Sequence, residues 1–342
     1  MKKEYKVRDE KIDSHISELS NLCKGCQNKD LLDEMLTTVA KLGLENTERG
    51  DLKLLNNTLK ELRYAFKIFT PYRNIRKIAV FGSARTPESA PSYKLAEEFS
   101  KLIVEKGYMV ISGSGPGIME AANKGAGAER SFGVNIRLPF EQIPNRYIRN
   151  NFKLINFKYF FSRKLIFIKE SDATVLFPGG FGTHDEGFET ITLLQTGKCR
   201  PRPVVMVAPK GDNYWEEWLR FVNMLLKRKY IEKEDMKLFK IVSSSVEAAR
   251  IIEDYYRLYH SLRYIRNLTV IRLEKFVDEK FLKKLNLKFK NILRSGKIEI
   301  TEALPEELEN DDFVKLPRLI MDFNRRDFGK LCEMVNFINE NG

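Results

Sequence analysis

Ala173-Thr174-Val175-Leu176-Phe177-Pro178-Gly179-Gly180-Phe181-Gly182-Thr183-His184-Asp185-Glu186 is the stretch that decides how this chain is read. Its first five residues form an apolar run that predicts a buried strand. Gly187 to Thr196 predicts a helix. The glycine-rich turn between them aims backbone N–H groups outward, and the helix dipole adds partial positive charge, so an anion, above all a phosphate, is favoured there. The glycines allow positive φ and a close backbone approach. Glu186 stands one turn into the helix, near the anion but outside its cradle. A carboxylate there does not help to hold phosphate. It points to chemistry on whatever the phosphate is attached to.

Outward from this turn, strands and helices alternate. Ile78 to Phe81 predicts a strand ending at Gly82-Ser83, and Tyr93 to Lys106 a helix. Tyr108 to Ile111 predicts a second strand, ending in Ser112-Gly113-Ser114-Gly115-Pro116-Gly117, followed by a helix from Ile118 to Ala128. Phe132 to Asn135 predicts a short strand, Tyr159 to Glu170 a helix, Pro203 to Ala208 a strand, and Tyr214 to Lys227 and Val246 to Tyr259 two further helices. Short apolar strands between helices predict an α/β protein with a Rossmann-like, doubly wound parallel sheet. All three glycine-bearing turns fall at strand carboxyl ends. In such sheets ligands bind there, where the strand order reverses, so the three turns are expected to line one crevice.

The flanks read differently. Residues 1–70 predict a helical N-terminal extension, with Ile12, Ile16, Leu19 and Leu22, then Leu31, Met35, Val39 and Leu42, spaced three or four apart, and a further stretch from Leu52 to Phe69. Residues 71–260 form the expected nucleotide-binding catalytic domain. Residues 261–342 predict a small α+β C-terminal appendix: strands at Leu268–Leu273, Lys297–Thr301 and Leu319–Phe323, helices at 278–293 and 325–338, and an acidic linker at 306–312.

Of the net charge of +12 over 342 residues, +8 falls in residues 71–256, which carry 29 Lys and Arg against 21 Asp and Glu. Anionic partners fit that excess, but no concentrated Lys/Arg run stands beside aromatics in this region, so nucleic acid is not expected. Four cysteines make no disulfide framework in a chain this long. Cys23 and Cys26 form a C-x-x-C pair without two further nearby ligands, so no metal site is expected. The charged start lacks an apolar signal segment, and no apolar run approaches the roughly 20 residues of a membrane span. A cytoplasmic protein with no membrane partner is the expectation.

Each motif has a plain alternative. Gly113-Ser114-Gly115-Pro116-Gly117 fails the G-x-G-x-x-G spacing, because Ile118 holds the third glycine position; alone it reads as a turn with Pro at a helix entry. Paired with the second loop in one sheet, it reads as ligand-binding. Arg163-Lys164 would ordinarily be a solvated basic pair. Its neighbours Tyr159, Phe160, Phe161, Leu165 and Ile166 are apolar, however, and a buried arginine needs an anionic or polar partner, with Glu186 or the ligand as candidates. Asp185, Glu186 and Glu189 fit a helix start for dipole reasons alone, but Glu186 and Glu189 share a face and can both address the crevice. His184 reads as a loop residue with a local hydrogen bond. No partner for a Ser-His-Asp or Cys-His triad is evident.

Taken together, Pro178-Gly179-Gly180-x-Gly182-Thr183-x-x-Glu186, the Arg163-Lys164 pair, Phe81-Gly82-Ser83-Ala84-Arg85-Thr86-Pro87 and Gly115-Pro116-Gly117-Ile118-Met119-Glu120-Ala121-Ala122 resemble the LOG family of nucleoside 5′-monophosphate phosphoribohydrolases, with wording nearest the bacterial branch acting on purine and pyrimidine mononucleotides. The resemblance covers about residues 74–255. It implies a Rossmann-like fold, a homo-oligomer (a dimer or higher), and hydrolysis of a nucleoside monophosphate such as AMP to free base and ribose 5-phosphate, with no metal or redox cofactor. By position it implies Arg163 and Glu186 as the catalytic pair. Gly82, Ser83, Gly113, Gly115, Gly117, Gly179, Gly180, Gly182 and Thr183 would bind phosphate and ribose, with Lys164, Glu120, Phe160 and Glu189 in support. Phe160 stands where many plant-type members carry Met, a residue that touches the base. His184 and Ser114 also depart from the common pattern. Two other readings are a non-catalytic nucleotide or alarmone sensor, and a DNA-processing protein on a similar core.

Overall fold

The computed structural model describes residues 5–138, 143–308 and 313–342; residues 1–4 of the charged start and 309–312 of the acidic linker lie outside the described residues. Two compact units emerge, residues 1–63 and 64–342. The first holds α1 (Glu10–Leu22), α2 (Lys29–Leu44) and most of α3 (Arg49–Phe69). Asp9 starts α1 by accepting from the N–H groups of Lys11 and Ile12, which lack intrahelical carbonyls.

In the second unit the chain runs β1 (Lys77–Phe81), α4 (Pro91–Glu105), β2 (Met109–Ser112), α5 (Ile118–Arg130), β3 (Ser131–Ile136), β4 (Leu154–Phe157), α6 (Phe160–Glu170), β5 (Ala173–Leu176), α7 (Phe181–Gln195), β6 (Val204–Val207), α8 (Tyr214–Lys227), β7 (Lys240–Val242) and α9 (Ser245–Tyr255). The seven strands form one sheet in the order β4-β3-β2-β1-β5-β6-β7, and every neighbouring pair is parallel. The order reverses between β1 and β5. Strand β1 pairs through Ile78 with Ala173 and through Phe81 with Leu176, so the turns after β1 and β5 leave the sheet side by side. The sheet is the expected doubly wound one, and its central strands are buried on both faces. Ile78, Val80, Val110, Val175, Phe177 and Val205 form its core with Phe99 and Ile103 of α4 and Ile252 of α9.

After α9 come β8 (Tyr259–Ile265), β9 (Leu268–Leu273), α10 (Glu279–Phe289), β10 (Leu293–Thr301), β11 (Arg318–Phe323) and α11 (Phe328–Asn341). The four strands form an antiparallel sheet in the order β10-β11-β9-β8. Leu285 and Phe289 of α10 and Met334, Val335 and Ile338 of α11 pack in one cluster with Ile271, Leu319 and Phe323 of the sheet.

Several expected elements shift. The helix expected from Gly187 begins at Phe181, inside the glycine motif. Glu186 therefore stands on its second turn. The helix expected over 246–259 ends at Tyr255, and Tyr259 opens a strand; the aromatic run there suits a half-buried strand better than a helix end. Edge strands β4 and β7 were not anticipated. Each is short and partly exposed, so neither carries an unbroken apolar run.

The C-terminal sheet buries an ion cluster. Arg272 Nη2 donates to Glu307 Oε1 at 2.7 Å and Arg318 Nε to Oε2 at 3.1 Å, and the side chains of Glu307 and Arg318 are 0% exposed. Burial opposes the charge on Glu307, but the hydrogen bonds from Arg272, Arg318 and the Leu304 N–H outweigh it and hold the carboxyl below its ordinary range. A depressed folded pKa stabilises above the unfolded pKa, and that stability is lost as pH falls through the folded one. Glu307→Gln should cost about 3–5 kcal/mol at neutral pH by stranding the two guanidinium groups. Urea unfolding should show that deficit, and it should narrow below the ordinary carboxylate range.

Candidate active site

The three glycine-bearing turns meet at the carboxyl edge of the sheet, and their backbones are tied together. The Ser83 N–H donates to Pro178 O at 3.1 Å, and the Ile118 N–H donates to Ser83 O at 3.0 Å. Ser83 Oγ accepts from the Arg85 N–H at 3.0 Å, closing its own turn. One residue thus joins the turn after β1 to those after β2 and β5.

The main turn departs from expectation in one respect. None of Gly179, Gly180 and Gly182 has positive φ. What Gly179 requires is space: a Cβ there would collide with the Thr183 side chain and lie 2.8 Å from Ser83 N. Gly180 caps α7 in an extended conformation, and beyond the Cα atoms of Gly180 and Gly182 the space is open. Thr183 is buried, and the first-turn N–H groups of Phe181 and Gly182 have no carbonyl a turn behind them. Positive φ appears instead in the second turn, at Gly117 and at Ser114. Ser114, Gly115 and their neighbours are held by a buried network that sequence reasoning missed. Asn145 Nδ2 donates to the carbonyls of Ser114 and Gly115 at 3.1 Å and to Asn123 Oδ1 at 2.9 Å, and Ser112 Oγ donates to the same Asn123 oxygen at 2.8 Å. The Pro144-Asn145 pair was the available signal, as a turn former.

His184 does more than bond locally. Its Nε2 lies 2.7 Å from Tyr214 Oη of α8, which also bonds the Gly179 carbonyl. A carbonyl only accepts, so the Tyr214 proton goes to Gly179 and His184 Nε2–H donates to Tyr214. Burial lowers the His184 pKa, so the ring stays neutral. Tyr214 braces the main turn, and nothing in its sequence context marked it.

Arg163 feels the charge of Glu186 but does not pair with it, although Glu186 was one candidate partner for a buried arginine. Arg163 Nε donates to Val134 O at 2.9 Å, and its guanidinium lies 5.1 Å from the Phe167 ring centroid. Its Nη2 and the Met119 sulfur share the space beside Gly113, where a Cβ would stand 2.7 and 2.5 Å from them. Burial opposes its charge, while Glu186 and then Asp185 favour it. Among the described residues the ion partner of Glu186 within 4 Å is Lys164, at 3.5 Å from Oε2 without a hydrogen bond. Successive helix residues point about 100° apart, so Arg163 turns toward the glycine turns and Lys164 toward α7. The same ammonium meets Asp185 at 2.8 Å and Glu189 at 2.7 Å. Glu189 was expected to address the crevice beside Glu186; its carboxylate goes to Lys164.

Glu186 is 4% exposed, and its Oε2 has no hydrogen bond among the described residues. Burial raises its pKa above the ordinary carboxylate range; Lys164 and Arg163 pull it down, and Glu189 and Asp185 push it up. A buried, raised carboxylate beside two cations is a recurrent property of reacting groups. Glu120, on the first turn of α5, lies 3.5 Å from Arg146 Nε, and Phe160 is half exposed on α6. Cys23 and Cys26 are exposed free thiols.

The family model described as "Possible lysine decarboxylase" matches residues 119–252. A cytokinin riboside 5′-monophosphate phosphoribohydrolase of Mycobacterium tuberculosis is 27% identical over 177 residues, which is 51% of this chain and 91% of that protein. An uncharacterized protein of Archaeoglobus fulgidus is 32% identical over 114 residues, 33% of this chain and 71% of that one. Among solved structures, the molybdenum cofactor binding protein of Rippkaea orientalis superimposes with a TM-score of 0.39 at 21% identity, covering 52% of this chain and 96% of that chain.

Gly113→Ala should displace the Met119 sulfur and the Arg163 guanidinium without unfolding the protein, since both obstacles are ends of flexible side chains. The expected result is a 10- to 100-fold fall in turnover with an unchanged melting temperature, the scale of a misplaced positioning group. Wild-type turnover in this variant would show that neither seat matters to the reaction.

Proposed function

This chain belongs to the LOG family, and on that premise we propose that it hydrolyses the N-glycosidic bond of nucleoside 5′-monophosphates to free base and ribose 5-phosphate, using Glu186 and Arg163. The observation that carries this reading is the buried carboxylate of Glu186, held beside Arg163 and Lys164 at the edge of the sheet where the glycine turns converge.

The chemistry follows from the charges. As the C1′–N bond breaks, the sugar becomes oxocarbenium-like and the base takes the bonding electrons. An ionised Glu186 stabilises the positive sugar and orients the water whose oxygen joins C1′. Water supplies the hydroxyl retained on ribose and the proton that ends on the base. Arg163 neutralises negative charge on the departing base or anchors the nucleotide. The N–H groups opening α7 and the turns at Gly82-Ser83 and Gly113–Gly117 hold the 5′-phosphate and ribose, so that remote binding energy positions the reacting carbon. None of these steps draws on a metal or redox cofactor.

The same reading includes a homodimer. Phe161 and Leu165 lie one turn apart on α6 and are 51% and 49% exposed. An apolar face of that kind, on a helix that carries Arg163, suits a two-fold interface. Phe161→Glu combined with Leu165→Glu should halve the mass measured by light scattering.

Release of ribose 5-phosphate from AMP, GMP, CMP and UMP is the direct assay, and no release from any of them would refute the assignment. Glu186→Gln should lower kcat about 10²–10³-fold. Its stability should move the other way. A carboxyl with a raised folded pKa loses its stabilising contribution as pH rises through that pKa, so at neutral pH the charge is a cost and the Gln variant should melt no lower than wild type. In wild type, kcat/KM should fall with decreasing pH starting above the ordinary carboxylate range. Lys164→Met removes the cation that most lowers the Glu186 pKa and should shift that fall to higher pH.

A further inference from the structure

We propose that a cavity at the opposite, amino edge of the parallel sheet is a second binding site, for a small phosphorylated anion. The cavity measures about 270 Å³, near the lower end of the ~300–1,000 Å³ typical of small-ligand sites. Arg202 and Pro203, which lead into β6, Lys240 at the start of β7, α9 and the final helix α11 line it. Parallel strands put this edge a full strand length away from the glycine turns, about 13 Å for four residues.

The charge of the lining points to an anion. Five cations line the cavity, Arg202, Lys237, Lys240, Arg250 and Arg257, against the two carboxylates of Asp254 and Glu340. Asp254 stands 3.4 Å from Arg250, and Lys237 is paired with Glu333 at 2.8 Å. Lys240 has no ion pair among the described residues. Arg202 and Tyr255, 6% and 8% exposed, form the deeply buried part of the wall. The terminal nitrogens of Arg202 are saturated, Nη1 by the carbonyls of Ile168 and Ser171, Nη2 by Ser171 Oγ and Thr174 Oγ1. The guanidinium is thus fixed in the wall and contributes its charge. A basic wall with an unpaired lysine favours a multivalent oxygen anion over neutral ligands.

The position of the cavity couples it to Glu186. Helix α7 starts at the main glycine turn and ends beside this edge. There Gln195 Nε2 donates to Asp235 at 2.7 Å, and Phe328, the first residue of α11, packs so closely on Gly197 that no Cβ would fit. Helix α11 is pinned in turn, because Asn339 Oδ1 accepts from the N–H groups of Leu258 and Tyr259 at 3.0 and 2.9 Å, and Arg257 bonds the Asn339 carbonyl. An anion drawing Lys240 and Arg250 toward α11 loads the helix pair that carries the catalytic carboxylate. This coupling rests on the hydrolase reading; the site itself does not.

Calorimetric titration of the full chain with inorganic pyrophosphate, ribose 5-phosphate and ADP tests the site. Lys240→Glu with Arg250→Glu, both exposed, should weaken one class of sites at least tenfold and leave the melting temperature unchanged. Arg163→Ala should weaken only the other class. Equal affinity for all three probes marks a site for phosphate alone, and a tenfold preference for either sugar-bearing probe marks a phosphosugar or nucleotide site. With AMP as substrate, the probe that binds should change KM or kcat in wild type but not in the double variant. Identical titrations of wild type and the double variant overturn the proposal, whether or not AMP is hydrolysed.

Discussion

Ser83 is bonded on both sides of its peptide backbone, by Pro178 through its N–H and by Ile118 through its carbonyl. Everything at the carboxyl edge of the sheet depends on that double tie. It joins turns that lie nearly a hundred residues apart in the chain, at the position where the strand order reverses. The tie works only because the backbones come close. Gly179 admits Ser83 and Thr183 against its Cα, and Gly113 admits the Met119 sulfur and the Arg163 guanidinium. The glycines matter here through the side chains they lack, and only Gly117 combines that with a left-handed φ.

Around this frame the electrostatics are arranged at a cost. Glu186 is buried, which disfavours its charge, and two neighbouring cations only partly offset the burial. A carboxylate relieved of that conflict would be more stable and would keep its ordinary pKa. Lys164 is the mediator. Burial disfavours its charge too, but hydrogen bonds from its ammonium to Asp185 and Glu189, and the charge of Glu186, hold its pKa above the ordinary lysine value. It therefore masks two carboxylates that would otherwise raise Glu186 further. Arg163, bonded to the Val134 carbonyl and resting on Phe167, stays free of a direct carboxylate clasp. Its fork can then turn toward a ligand.

The C-terminal sheet is built on a different principle. Glu307 is clasped by Arg272 and Arg318 with no exposed side-chain surface on Glu307 or Arg318, an arrangement that fixes geometry more than it adds net stability. Through α11 this layer reaches the amino edge of the parallel sheet and the end of α7. Helix α7, which carries Glu186, thus meets at its far end the helix α11 that lines the basic cavity.

The sequence by itself determined the doubly wound sheet, because parallel strands buried on both faces must be continuous apolar runs and Ile78–Phe81, Val110–Ile111 and Ala173–Phe177 are such runs. It also marked Glu186 and Arg163, because a glycine turn before a helix and a charged pair inside an apolar helix are local patterns. Only the tertiary structure decided that Lys164, and not Arg163, sits against Glu186, since a helix splits successive residues by about 100° and the facing helix selects between them. It alone revealed the Asn145–Asn123–Ser112 network and the Tyr214 brace, whose partners lie up to 35 positions apart. Contacts of that separation leave no periodic trace in a sequence, because they are set by how elements pack and not by how any one of them forms.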